Sequence, residues 1–409
     1  MKHIFPILLC STLLPAWGEE GGIPPQTSLP PAREKADSIP IPKLPDTAPP
    51  TLEALDKALA RGVQFLLTHQ NKDGSWGDHT GTKGINIFCP YPSGPLAFRS
   101  GTTGLCIIGL NASPQRDTPE VQAALEKATQ FMFSRLPKLK RGDTQSVYDV
   151  WGHAYTLEAA CSLATRLPQD SHRFAELREF ARERIRMLDA LADINGGWGY
   201  LTFKVFTERP AGSPTSFLTA TVFMAYKDAE DIFGLKPNQK VFRRCFNTLK
   251  SMRTPNGTYV YSREHIKFAT TPINRHTGSL ARTPAGDLAL MRYEPSLISR
   301  RQLEDGLDRL WSRSGWLGMA LKKPMPHESF AQNSGYFYFY GYYYAAKCLD
   351  FVPHEKLVRH AAYVSKGVLP LQEKDGSWWD YPLYNYHKFY GTGYALYALS
   401  RVRAAIAAD

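Results

Sequence analysis

The sequence predicts an all-α chain folded as an (α/α)6 toroid, a ring of six outer and inner helix pairs. Three observations predict it. A helix-ending turn with an aromatic anchor recurs at intervals of about 60 residues. Each interval holds two amphipathic helical stretches, the second rich in small and apolar residues. Helices in that alternating order cannot bury their apolar faces pair by pair, whereas stacking the pairs around a ring does so, with the second helices facing inward.

The turn Asn71-Lys72-Asp73-Gly74-Ser75-Trp76 is echoed at Asn195-Gly196-Gly197-Trp198, Pro255-Asn256-Gly257-Thr258-Tyr259, Ser314-Gly315-Trp316 and Glu373-Lys374-Asp375-Gly376-Ser377-Trp378. Successive aromatic anchors stand 122, 61, 57 and 62 residues apart. As 122 is twice 61, one copy lacks its Trp and is expected near 136–143, where Lys140-Arg141-Gly142-Asp143 offers a turn. Six units result.

The elements follow in order. Lys2 and His3 precede an apolar run from Ile4 to Leu14, and Ala16-Trp17-Gly18 offers small residues where a signal peptidase cuts, so 1–18 reads as an export leader. Leu9 before Cys10 argues against lipid attachment. No other segment is apolar for long enough to span a membrane, so a periplasmic or extracellular location is expected. From Glu19 to Pro50 nine prolines and no apolar period mark an extended linker, and the domain is expected over 51–409. Thr51 can cap a first helix whose Leu55, Ala58, Leu59, Gly62, Val63 and Leu66 share one face; Asp73-Gly74 ends it. The inner helices are expected at 103–110, 147–163, 217–232, 337–349 and 390–402, with a weaker fourth at 285–291. Ser213-Pro214 and Thr283-Pro284 predict two of their starts by placing a capping residue before Pro.

Composition excludes other classes. With 409 residues, 43% of them hydrophobic, the chain can bury a full core. The net charge of +11 is spread along the whole length, not gathered in an arm or stripe, so nucleic acid is not expected as a partner. After removal of the leader, Cys89, Cys106, Cys161, Cys245 and Cys348 form an odd, widely spaced set with no C-x-x-C, giving neither a zinc site nor a disulfide framework, though a single pairing stays open. No cofactor or metal is expected.

Arg61-Gly62-x-x-Phe65-Leu66-x-x-x-Gln70-x-x-x-Gly74-x-Trp76 resembles the QW repeat of squalene and oxidosqualene cyclases, and Leu371-Gln372-x-x-x-Gly376-x-Trp378 is a shorter copy. Gln and Trp there are expected to clasp helix ends. Over about 51–406 the chain resembles terpene cyclases and protein prenyltransferase β subunits, and also exported bacterial proteins with prenyltransferase and squalene oxidase repeats. That resemblance implies a fold, not a reaction. The Asp-x-Asp-Asp acid of squalene cyclases is absent; Asp228-Ala229-Glu230-Asp231 lies at the far end of its helix. The zinc ligands of the prenyltransferases and the thioester segment of complement-type rings have no counterpart either.

All inner helices should begin at one end, so their N–H groups converge on a mouth that favours polar or anionic ligand groups. Expected near it are Asp149, Trp151, His153 and Tyr155, then Ser213 and Thr215, then Arg282, Thr283 and Asp287. Asn333 and Tyr336, then Tyr386, His387 and Tyr390, complete the set. His153, one turn after Asp149, is a candidate general acid or base with the Asp149 carboxylate orienting it, and Asp287 is a further candidate catalytic residue. The aromatic run 336–344 packs the inner wall, and some of its tyrosines, with Tyr386, Tyr390 and Tyr394, are available to an isoprenoid tail, a carbocation or a sugar ring. Two functions stay open: a terpene-cyclase-like ring binding, and with catalysis undecided, an isoprenoid or amphiphilic ligand in a central cavity, or a non-catalytic or carbohydrate-directed binding ring at the cell surface. A deep apolar well favours the first, a shallow Tyr-lined opening the second.

Overall fold

A computed structural model describes residues 41–408 apart from 45, 86, 88, 90, 142 and 203–206; the expected leader with Cys10, the expected linker up to 40 and Gly142 lie outside the described residues. Among the described residues are twelve α-helices: α1 (Leu52–Thr68), α2 (Ser93–Ala112), α3 (Pro119–Arg135), α4 (Asp149–Ala164), α5 (His172–Leu191), α6 (Ser216–Phe233), α7 (Gln239–Met252), α8 (Arg282–Tyr293), α9 (Arg300–Gly318), α10 (Phe337–Cys348), α11 (His354–Val368) and α12 (His387–Ala407). Thr51, Thr118, Ser171, Asn238 and Ser299 cap the N-termini of α1, α3, α5, α7 and α9 through their side chains.

The even-numbered helices pack in cyclic order, α2 on α4, α4 on α6, α6 on α8, α8 on α10, α10 on α12 and α12 back on α2, while odd-numbered helices lie outside them. The inner helices run parallel: Gly101 and Gly104 of α2 face the backbones of Trp151 and Tyr155 of α4, and Thr221 of α6 meets Tyr340 and Tyr344 of α10. A Cβ on Gly104 would lie 2.6 Å from the carbonyl oxygen of Tyr155, so this close approach needs glycine. The fold is therefore the expected all-α toroid.

The two ends differ. Links from inner to outer helices, such as 113–118 and 234–238, take five to seven residues, whereas those from outer to inner helices, such as 69–92 and 253–281, take 13 to 29. Elaboration thus collects at the mouth, where the inner helices begin. Isolated bridges tie neighbouring mouth loops into a collar: Lys83 to Leu383, Ser146 to Leu201 and Thr215 to Ser262.

One clasp recurs at this end. Trp76, Trp198 and Trp378 are fully buried, and their indole N–H groups donate to the carbonyls of Leu66, Leu188 and Val368 at 2.8, 2.8 and 2.9 Å. Their backbone N–H groups donate to Thr103, Thr219 and Thr392 of the following inner helix. Each tryptophan so joins the end of one outer helix to its own inner helix. Gln70 crosses to the carbonyl of Ala124 on α3 at 2.8 Å. Gly74 has φ 86°, and a Cβ there would lie 2.2 Å from the Lys127 carbonyl oxygen, which explains the glycine twice over.

Three local expectations need correction. Ser314-Gly315-Trp316 is not a turn: it lies inside α9, and Trp316 is exposed. α6 starts at Ser216, past Ser213-Pro214, and Pro214 is not its first residue. α8 starts at Arg282, so Thr283 does not cap it and Pro284 is its third residue. The five cysteines 89, 106, 161, 245 and 348 are all free thiols.

Candidate functional site

Side chains cross the middle of the ring. Lys347 of α10 reaches Glu158 of α4, the helix directly opposite, at 2.5 Å, and Asp228 of α6 at 3.7 Å. Burial alone would lower the pKa of Lys347, but these carboxylates raise it, so the ammonium stays charged. Tyr343 also donates to Glu158. One turn nearer the mouth, the Tyr155 and Tyr394 hydroxyls meet, and Tyr344 donates to Thr221 at 3.1 Å. The cavity expected at the centre is therefore bridged on at least two levels by inner-wall side chains.

Above that plug lies an aromatic mouth. Trp151 is half-buried and its ring is parallel within 15° to those of Tyr148 and Tyr200, at 5.3 and 5.5 Å. The Tyr200 and Tyr261 hydroxyls are hydrogen-bonded, and Tyr336 lies 3.5 Å beyond Tyr261. Arg282 sits beneath this row, 5.5 Å from the ring centres of both Tyr261 and Phe337.

Beside it the collar leaves a groove of about 540 Å³ lined by Thr80, Trp379, Tyr384, Asn385 and His387. Asn385 donates to Asp78 at 3.0 Å, and the Trp379 indole N–H donates to Glu373 at 3.0 Å. His387 meets the Trp379 ring edge-on at 5.1 Å. Tyr384, between groove and mouth, holds φ at 51°, a conformation that costs a non-glycine residue energy and is concentrated at functional sites.

The candidate acids and bases do not share this site. His153 is fully buried on the outward face of α4, its Nδ1 3.3 Å from the Arg184 guanidinium of α5. Burial and Arg184 hold its pKa well below the usual histidine range. Its Nε2 has no hydrogen-bond partner and no hydrogen bond joins it to Asp149, so no oriented Asp–His pair is formed. Burial pushes Asp149 up to about 6, against the pull of the first N–H groups of α4 and of Arg141. Asp287 also faces outward, accepting from Arg253 at 2.9 Å and Tyr259 at 3.0 Å.

Several expected ligand-binding residues are structural. The Arg282 guanidinium serves the carbonyls of Gly278, Tyr259 and Ile273, Thr283 donates to Ser279, Asn333 to Thr277 and Trp316, Tyr386 to Pro95, and Tyr390 to Asp380 and Tyr381. Ser213 and Thr215 place hydroxyls without partners at the start of α6. Tyr155 belongs to the plug. Trp151, Tyr336 and His387 remain at the opening. Tyr148, Tyr200, Tyr261, Trp379 and Tyr384 were not anticipated there; their one sequence signal is an aromatic residue in each long mouth loop. Among the described residues no cluster of three or more His, Cys, Asp or Glu is placed to hold a metal, and no helix is long and apolar enough to cross a membrane.

No protein-family profile and no curated protein matches the chain. Solved structures do share its fold. Cellobiose 2-epimerase from Spirochaeta thermophila is similar with a TM-score of 0.54 at 12% identity, covering 88% of this chain and 98% of its own. A family 76 α-mannanase from Bacteroides thetaiotaomicron gives 0.53 at 11%, covering 87% and 97%. The type II terpene cyclase MstE from Scytonema gives 0.50 at 15%, covering 87% and 99%. At these identities the likeness is one of fold, the α/α toroid.

Proposed function

We propose that the chain is an exported binding ring whose mouth takes a saccharide. The observation that carries this reading is Trp151: half-buried, packed on Tyr148 and Tyr200, it offers a rigid aromatic surface over a lumen that is bridged below. Sugar rings stack on such surfaces through their C–H faces, while the hydroxyls of Tyr200, Tyr261 and Tyr336 and the Thr80, Asn385 and His387 groups supply hydrogen bonds around them. Long mouth loops and short far-end links also support a recognition surface at this end. Two of the three similar structures named above act on carbohydrate by name.

Binding without turnover is the preferred form. His153 and Asp287 turn to arginines on the outer side of the ring, Arg184 and Arg253, and not to the mouth. An α-1,6-mannanase of the same fold is described as inactive when two adjacent aspartates are replaced, and this chain has no Asp-Asp pair.

A second reading keeps an amphiphilic or isoprenoid ligand. It is favoured by Ile85, Tyr91, Phe268, Met325 and Phe330, apolar side chains 51 to 79% exposed on the mouth loops. A binding screen of the full chain against neutral and acidic oligosaccharides, with polyprenyl phosphate vesicles in parallel, separates the two. Saturable binding of an oligosaccharide class supports the proposal; binding to the vesicles alone overturns it in favour of the amphiphile.

A further inference from the structure

Basic side chains converge on the rim of the ring at the Gly257 turn, between α7 and α9. A Cβ on Gly257 would lie 2.9 Å from an Arg309 terminal nitrogen and 3.5 Å from one of Arg253, so both guanidiniums close on one point. Arg253 spends its Nε on Asp287. Asp287 already accepts from Tyr259 as well, which leaves its remaining charge shared. The guanidinium of half-buried Arg309 has no hydrogen bond or ion pair among the described residues; Asp287 and Asp305 act on it only at longer range. By contrast, exposed arginines such as Arg186 and Arg166 have close carboxylates at 2.6 Å.

A histidine completes the cluster. His276 is 6% exposed, and both its ring nitrogens are buried without a partner. The tight turn at 275–279, closed by Gly278 and Ser279 donating to the Arg275 carbonyl at 3.0 and 2.9 Å, fixes its position. Arg309 and Arg313 lie close enough to add to burial in lowering its pKa to about 4. A partly desolvated guanidinium beside an unsatisfied imidazole is costly unless an acceptor with several lone pairs meets both.

We propose that Arg253, Arg309, Arg313 and His276 form a binding site for a doubly charged oxyanion, a phosphate or sulfate group. Tetrahedral oxyanions match guanidinium forks and accept from several donors at once. The imidazole N–H supplies one further donor without adding charge. The site stands apart from the aromatic mouth and does not depend on the saccharide reading.

Histidine-selective NMR of the full chain, titrated with inorganic sulfate, inorganic phosphate and acetate, tests it. Sulfate or phosphate should move the His276 signals saturably in the millimolar range while acetate moves them little. Arg309→Gln should weaken that binding by about tenfold; Arg182→Gln, on the exposed face of α5, should leave it unchanged. Arg313→Gln provides the same comparison if Arg309→Gln does not fold, thermal unfolding being the check on each variant. His276 signals indifferent to both dianions, or an Arg309→Gln titration that overlays the wild type, would overturn the site.

Discussion

Gln372 donates from its side-chain amide to the carbonyl of Ala58 at 2.9 Å and so ties the last outer-helix turn of the ring to α1. The same amide donates to Gly376, and its oxygen accepts from Arg61, which also serves the carbonyls of Glu373 and Lys374. One residue thus satisfies backbone groups on both sides of the seam between chain ends. Gln70 does the same between α1 and α3.

Replacing Gln372 by Leu leaves these partners unsatisfied, and a loss of roughly 1–3 kcal/mol is expected. Chemical denaturation measures it. An unchanged midpoint would mean that water replaces the clasp at no cost.

The ion pair through the ring gives a sharper test. Lys347→Met leaves Glu158 buried without its cation, while Asp228 keeps Arg292 at 2.6 Å, and about 3–5 kcal/mol of destabilisation is expected. Glu158→Gln combined with Lys347→Met removes charge from both sides and should recover much of the loss. A double-mutant cycle by denaturation checks the non-additivity.

How much of this was legible in the sequence depends on the kind of residue. The clasp was legible because Gly74 and Gly376 need positive φ, and Trp76, Trp198 and Trp378 each follow such a turn at a fixed offset. Ser314-Gly315-Trp316 misled because Gly-Trp also fits within a helix, and nothing in α9 ends the helix before Gly318. The faces of the inner helices were not legible. Asp149 and His153 do share a face of α4, but that helix is covered on every side, so no polar stripe distinguishes the lumen from the side that meets Arg184. The loop aromatics of the mouth escaped for another reason: Tyr200, Tyr261 and Tyr384 come from loops of different units and meet only after the ring has closed.

Asp380 supplies a pH prediction. It is fully buried, and burial lifts its carboxyl to about 7 despite donors from the Phe339 N–H and the Tyr390 hydroxyl. Since this folded value lies above the ordinary 3.8, the folded chain holds more protons than the unfolded one between those values. The contribution is complete below 3.8 and disappears as pH rises through about 7. Asp380→Asn lacks this dependence, so its stability relative to the wild type should improve from mildly acidic to mildly alkaline pH. Urea denaturation at the two extremes reads the difference; a pH-independent difference would contradict the assignment.

The mouth, not the lumen, is the proposed binding surface, and one pair of affinities tests it directly. For an oligosaccharide found by the screen, calorimetric titration should show binding weakened about tenfold or more in Trp151→Ala, the worth of one lost stacking surface. Tyr394→Phe, which alters only the plug below, should bind like the wild type. Wild-type affinity in Trp151→Ala together with a loss in Tyr394→Phe would contradict the account and return the ligand to the centre of the ring.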